Sequence, residues 1–146
     1  MTHLRKTLGL AESRAAVDDM LVKANGMGGR PIALVVCDDR GDVICQVAQA
    51  GVNVALARQN AFKKAYTSAV TRSDALALAV RVKDMPGGVA YFGNPNFFAG
   101  GGGAVLVADD GTVLGGIGVS GRTNEEDEEI AQTGKASVAA SISASP

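Results

Sequence analysis

The sequence predicts an α+β fold, a mainly antiparallel sheet with helices packed on it, and three observations carry that prediction. Two β-branched runs are each joined to a partner run by an Asp-Asp turn, Asp38-Asp39-Arg40-Gly41-Asp42 and Ala108-Asp109-Asp110-Gly111, as β-hairpins require. Segments with apolar residues at helical spacing lie before, between and after these hairpins. Strand and helix nowhere alternate at the spacing of a parallel βαβ unit, so the strands are expected to pair as antiparallel neighbours.

The first element is a helix over residues from about 9 to 25. Leu10, Val17, Leu21 and Ala24 form its inner stripe, Gly9 is an acceptable cap, and Gly26 with Gly28-Gly29 ends it. Pro31 to Cys37 is a continuous apolar run of strand type, and Val43 to Val47 returns as its partner. Cys37 and Cys45 flank the turn. A three-residue loop at Arg40-Gly41-Asp42 sets them opposite each other, whereas a two-residue loop puts them on opposite faces. Two reduced, packed thiols are expected, because a cytosolic compartment disfavours a structural disulfide.

From Asn53 to about Thr71 the pattern is helical, with Leu56, Phe62, Ala65, Tyr66 and Ala69 as the buried face and Asn60, Lys64, Thr67 and Thr71 as a separate polar stripe. A shorter helix follows, capped by Ser73, with Asp74 in its first turn and Leu76, Leu78, Ala79 and Val82 apolar. Residues 86–103 combine turn-forming glycines, Pro86 and Pro95 with Tyr91, Phe92, Phe97 and Phe98. Such a segment is expected to be a packed loop or a loop wrapped over a ligand. Ala104 to Val107 and Thr112 to Ile117 make the second hairpin.

Thr123 and Glu126 then fit a capping box, and Glu125 to Glu129 lie in the first turn, where acids meet the positive end of the helix dipole. Ile130, Ala131, Gly134, Val138 and Ile142 continue as one inward stripe. Gly134 costs helix propensity there, so a close neighbour is expected against it.

A chain of 146 residues is expected to form one domain over 1–146, with a core that needs neither disulfides nor metals. Its formal charge of −1 offers no basic excess for nucleic acid or anionic lipid. With 19 glycines, 4% aromatic residues and no Trp, the core must be small aliphatic side chains and close backbone contacts, which makes a homo-oligomer the expected source of added stability. No apolar run reaches transmembrane length and no signal core follows the first residues, so no membrane association and a cytoplasmic location are expected.

His3 is the only histidine, which removes Ser-His-Asp and Cys-His sites within one chain and zinc sites built on imidazole. The acidic cluster reads as a charge-capped helix start rather than a metal centre, and no metal ligands are assigned. Gly100 to Gly103 precedes a strand, not a helix, so it is no phosphate loop; a close strand approach and a ligand cradle both remain open. Lys64, Arg58, Lys63 and Arg122 are candidate partners for an anion.

Several of these junctions together resemble the GlcG/HbpS-like family, the haem-degrading or PduO C-terminal-like domain. The resemblance is carried by Leu8-Gly9-Leu10-Ala11-Glu12, Val35 to Gly41, Lys64-Ala65-Tyr66-Thr67-Ser68-Ala69, Met85-Pro86-Gly87-Gly88, Gly100 to Gly103, and Gly116-Ile117-Gly118-Val119-Ser120-Gly121-x-Thr123-x-Glu125-x-Asp127-Glu128, in family order. It implies a three-layer α/β/α, profilin-like domain with a five-stranded antiparallel sheet, assembled as dimers or larger oligomers. It also implies a shared pocket around Lys64, Thr67, Gly101, Gly102, Gly103, Ser120, Gly121, Asp127 and Glu128. Some members bind haem or corrinoid, and others accompany small-carboxylate catabolism. This chain departs from the haem-binding pattern: no matched motif holds a histidine, which leaves Thr67, Tyr66 or Cys45 as the residues to hold haem, and Gly93 to Phe98 replaces the family's Asn-Gly-Gly segment.

Three functions follow as expectations. The leading one is a protein that binds haem, another tetrapyrrole or a small anionic metabolite between the second helix, the glycine-rich loop and the Ser120-Gly121 turn. An alternative is a cofactor-independent enzyme acting on a ring-fission product or 2-oxo acid, with Lys64 or Arg58 holding the carboxylate and Asp127, Glu128 or Tyr66 moving protons. A third is a structural or assembly module.

Overall fold

The computed structural model describes residues 1–143. Four strands, β1 (Ala33–Asp38), β2 (Val43–Ala48), β3 (Gly103–Val107) and β4 (Val113–Ser120), form one antiparallel sheet in the order β2-β1-β4-β3. Helices α1 (Leu10–Met27) and α4 (Asn124–Ser143) cover one face. Helix α2 (Val54–Thr71) covers the other, with α3 (Ala75–Val82) beside it against β3. The sheet therefore carries helices on both sides, but it has four strands and not the five that the resemblance implies. Residues 86–103 supply no further strand: Gly87, Gly88 and Gly93 take positive φ around a short 3-10 helix at Gly88–Phe92. The free edge of β3 is also closed, because the Asp74 carboxylate accepts a hydrogen bond from Val105 N at 2.9 Å.

The two Asp-Asp hairpins fold by one scheme. Asp38 N donates to Asp42 O and Gly41 N to Asp38 O; Ala108 N donates to Thr112 O and Gly111 N to Ala108 O. Gly41 and Gly111 share a φ of 85°, and each hairpin shifts register just before the turn, at Val36/Cys37 and at Leu106/Val107. The first of these bulges decides the cysteine question. Cys45 pairs with Val36 and Cys37 with Val43, so Cys37 packs against α2 while Cys45 lies against the α1/α4 core, and both thiols are free.

Both long inner faces depart from the large-residue stripes expected of them. In α1, Leu10 is exposed and the buried positions are Ser13, Ala16, Val17, Met20 and Ala24; its Gly9 cap is completed by Glu12, whose carboxylate accepts from Gly9 N at 2.8 Å. In α2, Ala65 and Ala69 are buried as expected, but Leu56 is exposed, Phe62 and Tyr66 are half-buried, and Ala57 and Ala61 complete the inner stripe. The cause lies in β4, where a Cβ on Gly116 would strike Ala65 O and one on Gly118 would strike Ala61 O. Helix backbone thus sits directly on strand backbone, and only alanine fits between them.

The last two helices follow a similar logic. Asp74, not Ser73, occupies the cap of α3, and Leu76 faces solvent while Leu78 and Val82 are buried. At the start of α4, Glu126 N donates to Thr123 Oγ1 at 3.2 Å, and the Glu126 carboxylate accepts from that hydroxyl at 3.0 Å, a variant of the expected box. Gly134 has its close neighbours: a Cβ there would come within 2.6 Å of Met20 Sδ and 2.8 Å of Ile117 Cδ1.

Candidate functional site

One buried polar centre joins α2, α4 and β4. Lys64 is 3% exposed and Asp127 1% exposed. Lys64 Nζ donates to Asp127 Oδ2 at 3.1 Å and to Val119 O at 2.8 Å, and it stands 5.1 Å from the centre of the Phe98 ring. Asp127 Oδ1 accepts from Arg122 N at 3.2 Å. Burial raises the Asp127 carboxyl above its ordinary range, opposed by the Lys64 charge and the Arg122 N–H. The ammonium is therefore committed within the protein, and the expectation of Lys64 as an open ligand anchor meets a residue sealed against its own carboxylate.

The glycine-rich run seals this centre. A Cβ on Gly102 would lie 3.0 Å from Lys64 Nζ and 2.9 Å from Asp127 Cβ, and one on Gly101 would crowd Asn124 O. Gly103 packs as closely, on Ala75, Lys64 O and Ser68. Gly102 N donates to Glu128 Oε2 at 2.9 Å, and Glu128 Oε1 accepts from Gln132 at 2.9 Å. Thr67 is fully buried and fastens the preceding loop, accepting from Phe98 N at 2.8 Å and donating to Asn96 O at 3.4 Å. Tyr66 points to a different neighbourhood, where its hydroxyl accepts from Asn94 Nδ2 at 3.1 Å and its ring packs between Phe62 and Phe97. The structure thus brings Lys64, Gly101, Gly102, Gly103, Asp127 and Glu128 together, with Thr67 on their margin and Tyr66 and Arg58 apart.

Open space lies immediately beyond this centre. A cleft of about 400 Å³ runs between the N-terminal half of α2, the Arg30-Pro31 segment and the turn Ser120-Gly121-Arg122. Its apolar wall is Pro31, Val52, Leu56 and Ala57; its polar groups are Arg30, Asn53, Asn60, Ser120 and Arg122. Gly121 takes a φ of 133° against Pro31 O, which lets the turn pass close to the loop before the sheet. Arg122 Nε donates to Arg30 O at 2.7 Å, but its buried Nη1 has no hydrogen-bond partner. Among the described residues the side chains of half-buried Asn60 and of Ser120 also have no partner. Donors left unmet beside a cleft are what an anion would satisfy.

Sequence reasoning missed Arg30 altogether, since a residue in a Gly-Gly-Arg-Pro junction carries no periodic signal. Asn60 was visible in the polar stripe of α2, one turn before Lys64. Arg58 lies on the opposite flank of α2 with Lys63. Among the described residues no three metal-ligating side chains converge, and no helix is long and apolar enough to cross a membrane.

Residues 8–136 match the model of a family described as haem-degrading, HbpS-like. Among solved structures, the Klebsiella pneumoniae protein ORFY is 19% identical and superposes with a TM-score of 0.84 over 100% of this chain and 97% of its own. A double mutant of Streptomyces reticuli HbpS is 24% identical, with a TM-score of 0.82 over 92% of this chain and 89% of that one. A PduOC:heme complex is 24% identical, with a TM-score of 0.79 over 90% and 95%. The search of curated proteins finds no match.

Haem held by this chain needs an axial donor from His, Cys, Met or Tyr. None of these lines the cleft, and Tyr66 and Cys45 lie in packed environments elsewhere. Thr67 spends its hydroxyl on the loop. The residues lining this cleft therefore supply no axial ligand for haem.

Proposed function

We propose, from the premise that this chain belongs to the HbpS-like haem-degrading family, that it binds a small anionic metabolite in the cleft beside the Lys64–Asp127 pair. The observation that carries this reading is the lining of the cleft, which sets Arg30 and Arg122 beside the unpaired Ser120 hydroxyl and Asn60 amide with no acid among them. A carboxylate satisfies the guanidinium and hydroxyl, and a short apolar body lies on Val52, Leu56 and Ala57. The heme complex of a structural relative supports ligand binding within this fold. The donor set here favours a small carboxylate over haem.

Binding is favoured over catalysis by the cleft lining, which has no carboxylate, lysine, tyrosine or thiol to move a proton. Asp127 and Glu128 are both held in internal hydrogen bonds. Calorimetric titration with 2-oxobutyrate and with cis,cis-muconate tests the reading. Saturable binding is expected, weakened at least about tenfold by Arg122→Gln and by a smaller factor in Asn60→Ala. Affinity unchanged in both variants rules the cleft out.

A further inference from the structure

We propose that the opposite flank of α2 carries a second ligand site, one that takes a monocyclic aromatic anion. A separate cleft of about 400 Å³ lies there, lined by Gln46 from β2, by Arg58, Gln59, Phe62 and Lys63 from α2, and by Asn96 from the glycine-rich segment. Its lining holds two cations and no acid, in a chain whose formal charge is −1. Neither Arg58 nor Lys63 has an ion-pair or side-chain hydrogen-bond partner among the described residues. A concavity with cations of one sign and no counter-charge concentrates anions.

The aromatic part of the ligand is argued from Phe62. Its ring is half-buried and held by Tyr66 at 5.8 Å between centroids, and Tyr66 is held in turn by Phe97 at 6.1 Å. A ring fixed from behind offers its remaining surface to a second ring at little entropic cost. Asn96 is equally fixed: its N–H donates to Asn94 Oδ1 at 3.0 Å and its carbonyl accepts from Thr67 Oγ1 at 3.4 Å. The amides of Gln46, Gln59 and Asn96 then stand around the rim, able to bond ring hydroxyls or the carboxylate edge. The volume suits one substituted ring.

A nitrogen-15 chemical-shift titration of the whole chain with sodium benzoate, cyclohexanecarboxylate and acetate, at matched ionic strength, decides it. Benzoate is expected to move the side-chain amide signals of Gln46, Gln59 and Asn96 saturably, with cyclohexanecarboxylate binding about fivefold more weakly. The double variant Arg58→Ala/Lys63→Ala, on the outer side of α2, is expected to weaken benzoate at least about tenfold. Arg122→Gln is expected to leave benzoate binding at these amides unchanged. Equal affinity for cyclohexanecarboxylate overturns the aromatic assignment. Signals moving only around Ser120 to Arg122, or not at all, overturn the second site, and the first of those results leaves the other cleft standing.

Discussion

Replacing Lys64 by Met tests what the buried pair does for the fold. At 3.1 Å and an effective dielectric near 20, the two charges attract by about 5 kcal/mol. Withdrawing each ion from water costs several kcal/mol, so the pair as a whole is close to neutral for stability. Removing one partner is not neutral. Lys64→Met leaves Asp127 1% exposed with only the Arg122 N–H for company, and the expected loss at pH 8 is about 3–5 kcal/mol. For a chain of this size that lowers the melting temperature by on the order of 10 °C.

The pH dependence of that variant has a definite sign. Burial already raises the Asp127 carboxyl, and loss of the ammonium removes the main opposing influence. A carboxyl raised in the folded state resists ionisation there while the unfolded chain ionises freely, so stability falls as pH rises and returns as pH falls. Urea denaturation is therefore expected to find Lys64→Met closer to wild type at pH 5 than at pH 8. The double variant Lys64→Met/Asp127→Leu is expected to recover most of the loss, leaving about 1 kcal/mol for the unpaired Arg122 N–H. A single-variant cost below about 1 kcal/mol, or additive single-variant costs, refutes the reasoning.

Two further outcomes are expected. Gly118→Ala drives a methyl into Ala61 O and is expected to destabilise by about 3 kcal/mol or prevent folding, whereas Gly26→Ala, in α1 with nothing within 4 Å of the added carbon, is expected to gain about 0.5–1 kcal/mol; thermal melts of the two check the contrast. Burial pushes the Cys37 thiol up to about 12, so at pH 8 a thiol reagent is expected to reach Cys45 first and Cys37 only on unfolding, and stability is expected to fall between pH 9 and 12 as the unfolded chain alone ionises.

The hairpins, the four helices and the tight contact at Gly134 were legible because each rests on local chemistry: turn residues, caps and periodicity. The inner face of α2 was legible only at Ala65 and Ala69, because a hydrophobic stripe also selects Leu56, Phe62 and Tyr66, while the actual face is fixed by two glycines far along the chain in β4. Lys64 was read as a member of a polar stripe, and its commitment to Asp127 depends on a partner 63 residues away. The cysteines turned on one bulge that no turn rule locates to a single residue. The family resemblance supplied the neighbourhood of Lys64, Gly102 and Asp127, but not the fact that these residues fill it and leave the open space beside it, against Arg30 and Asn60.

The alanine stripe of α2 divides that helix into two kinds of position. What anchors it to the sheet is concentrated in Ala57, Ala61, Ala65 and Ala69, which the strand backbone beneath them holds to a single size. Residues off that stripe, among them Leu56 and Asn60 on one flank and Arg58, Gln59 and Lys63 on the other, carry almost none of that constraint. A lineage can therefore exchange the side chains that meet a ligand on either flank without loosening the helix that presents them. Divergent ligands on one unchanging scaffold are the natural product of such a division.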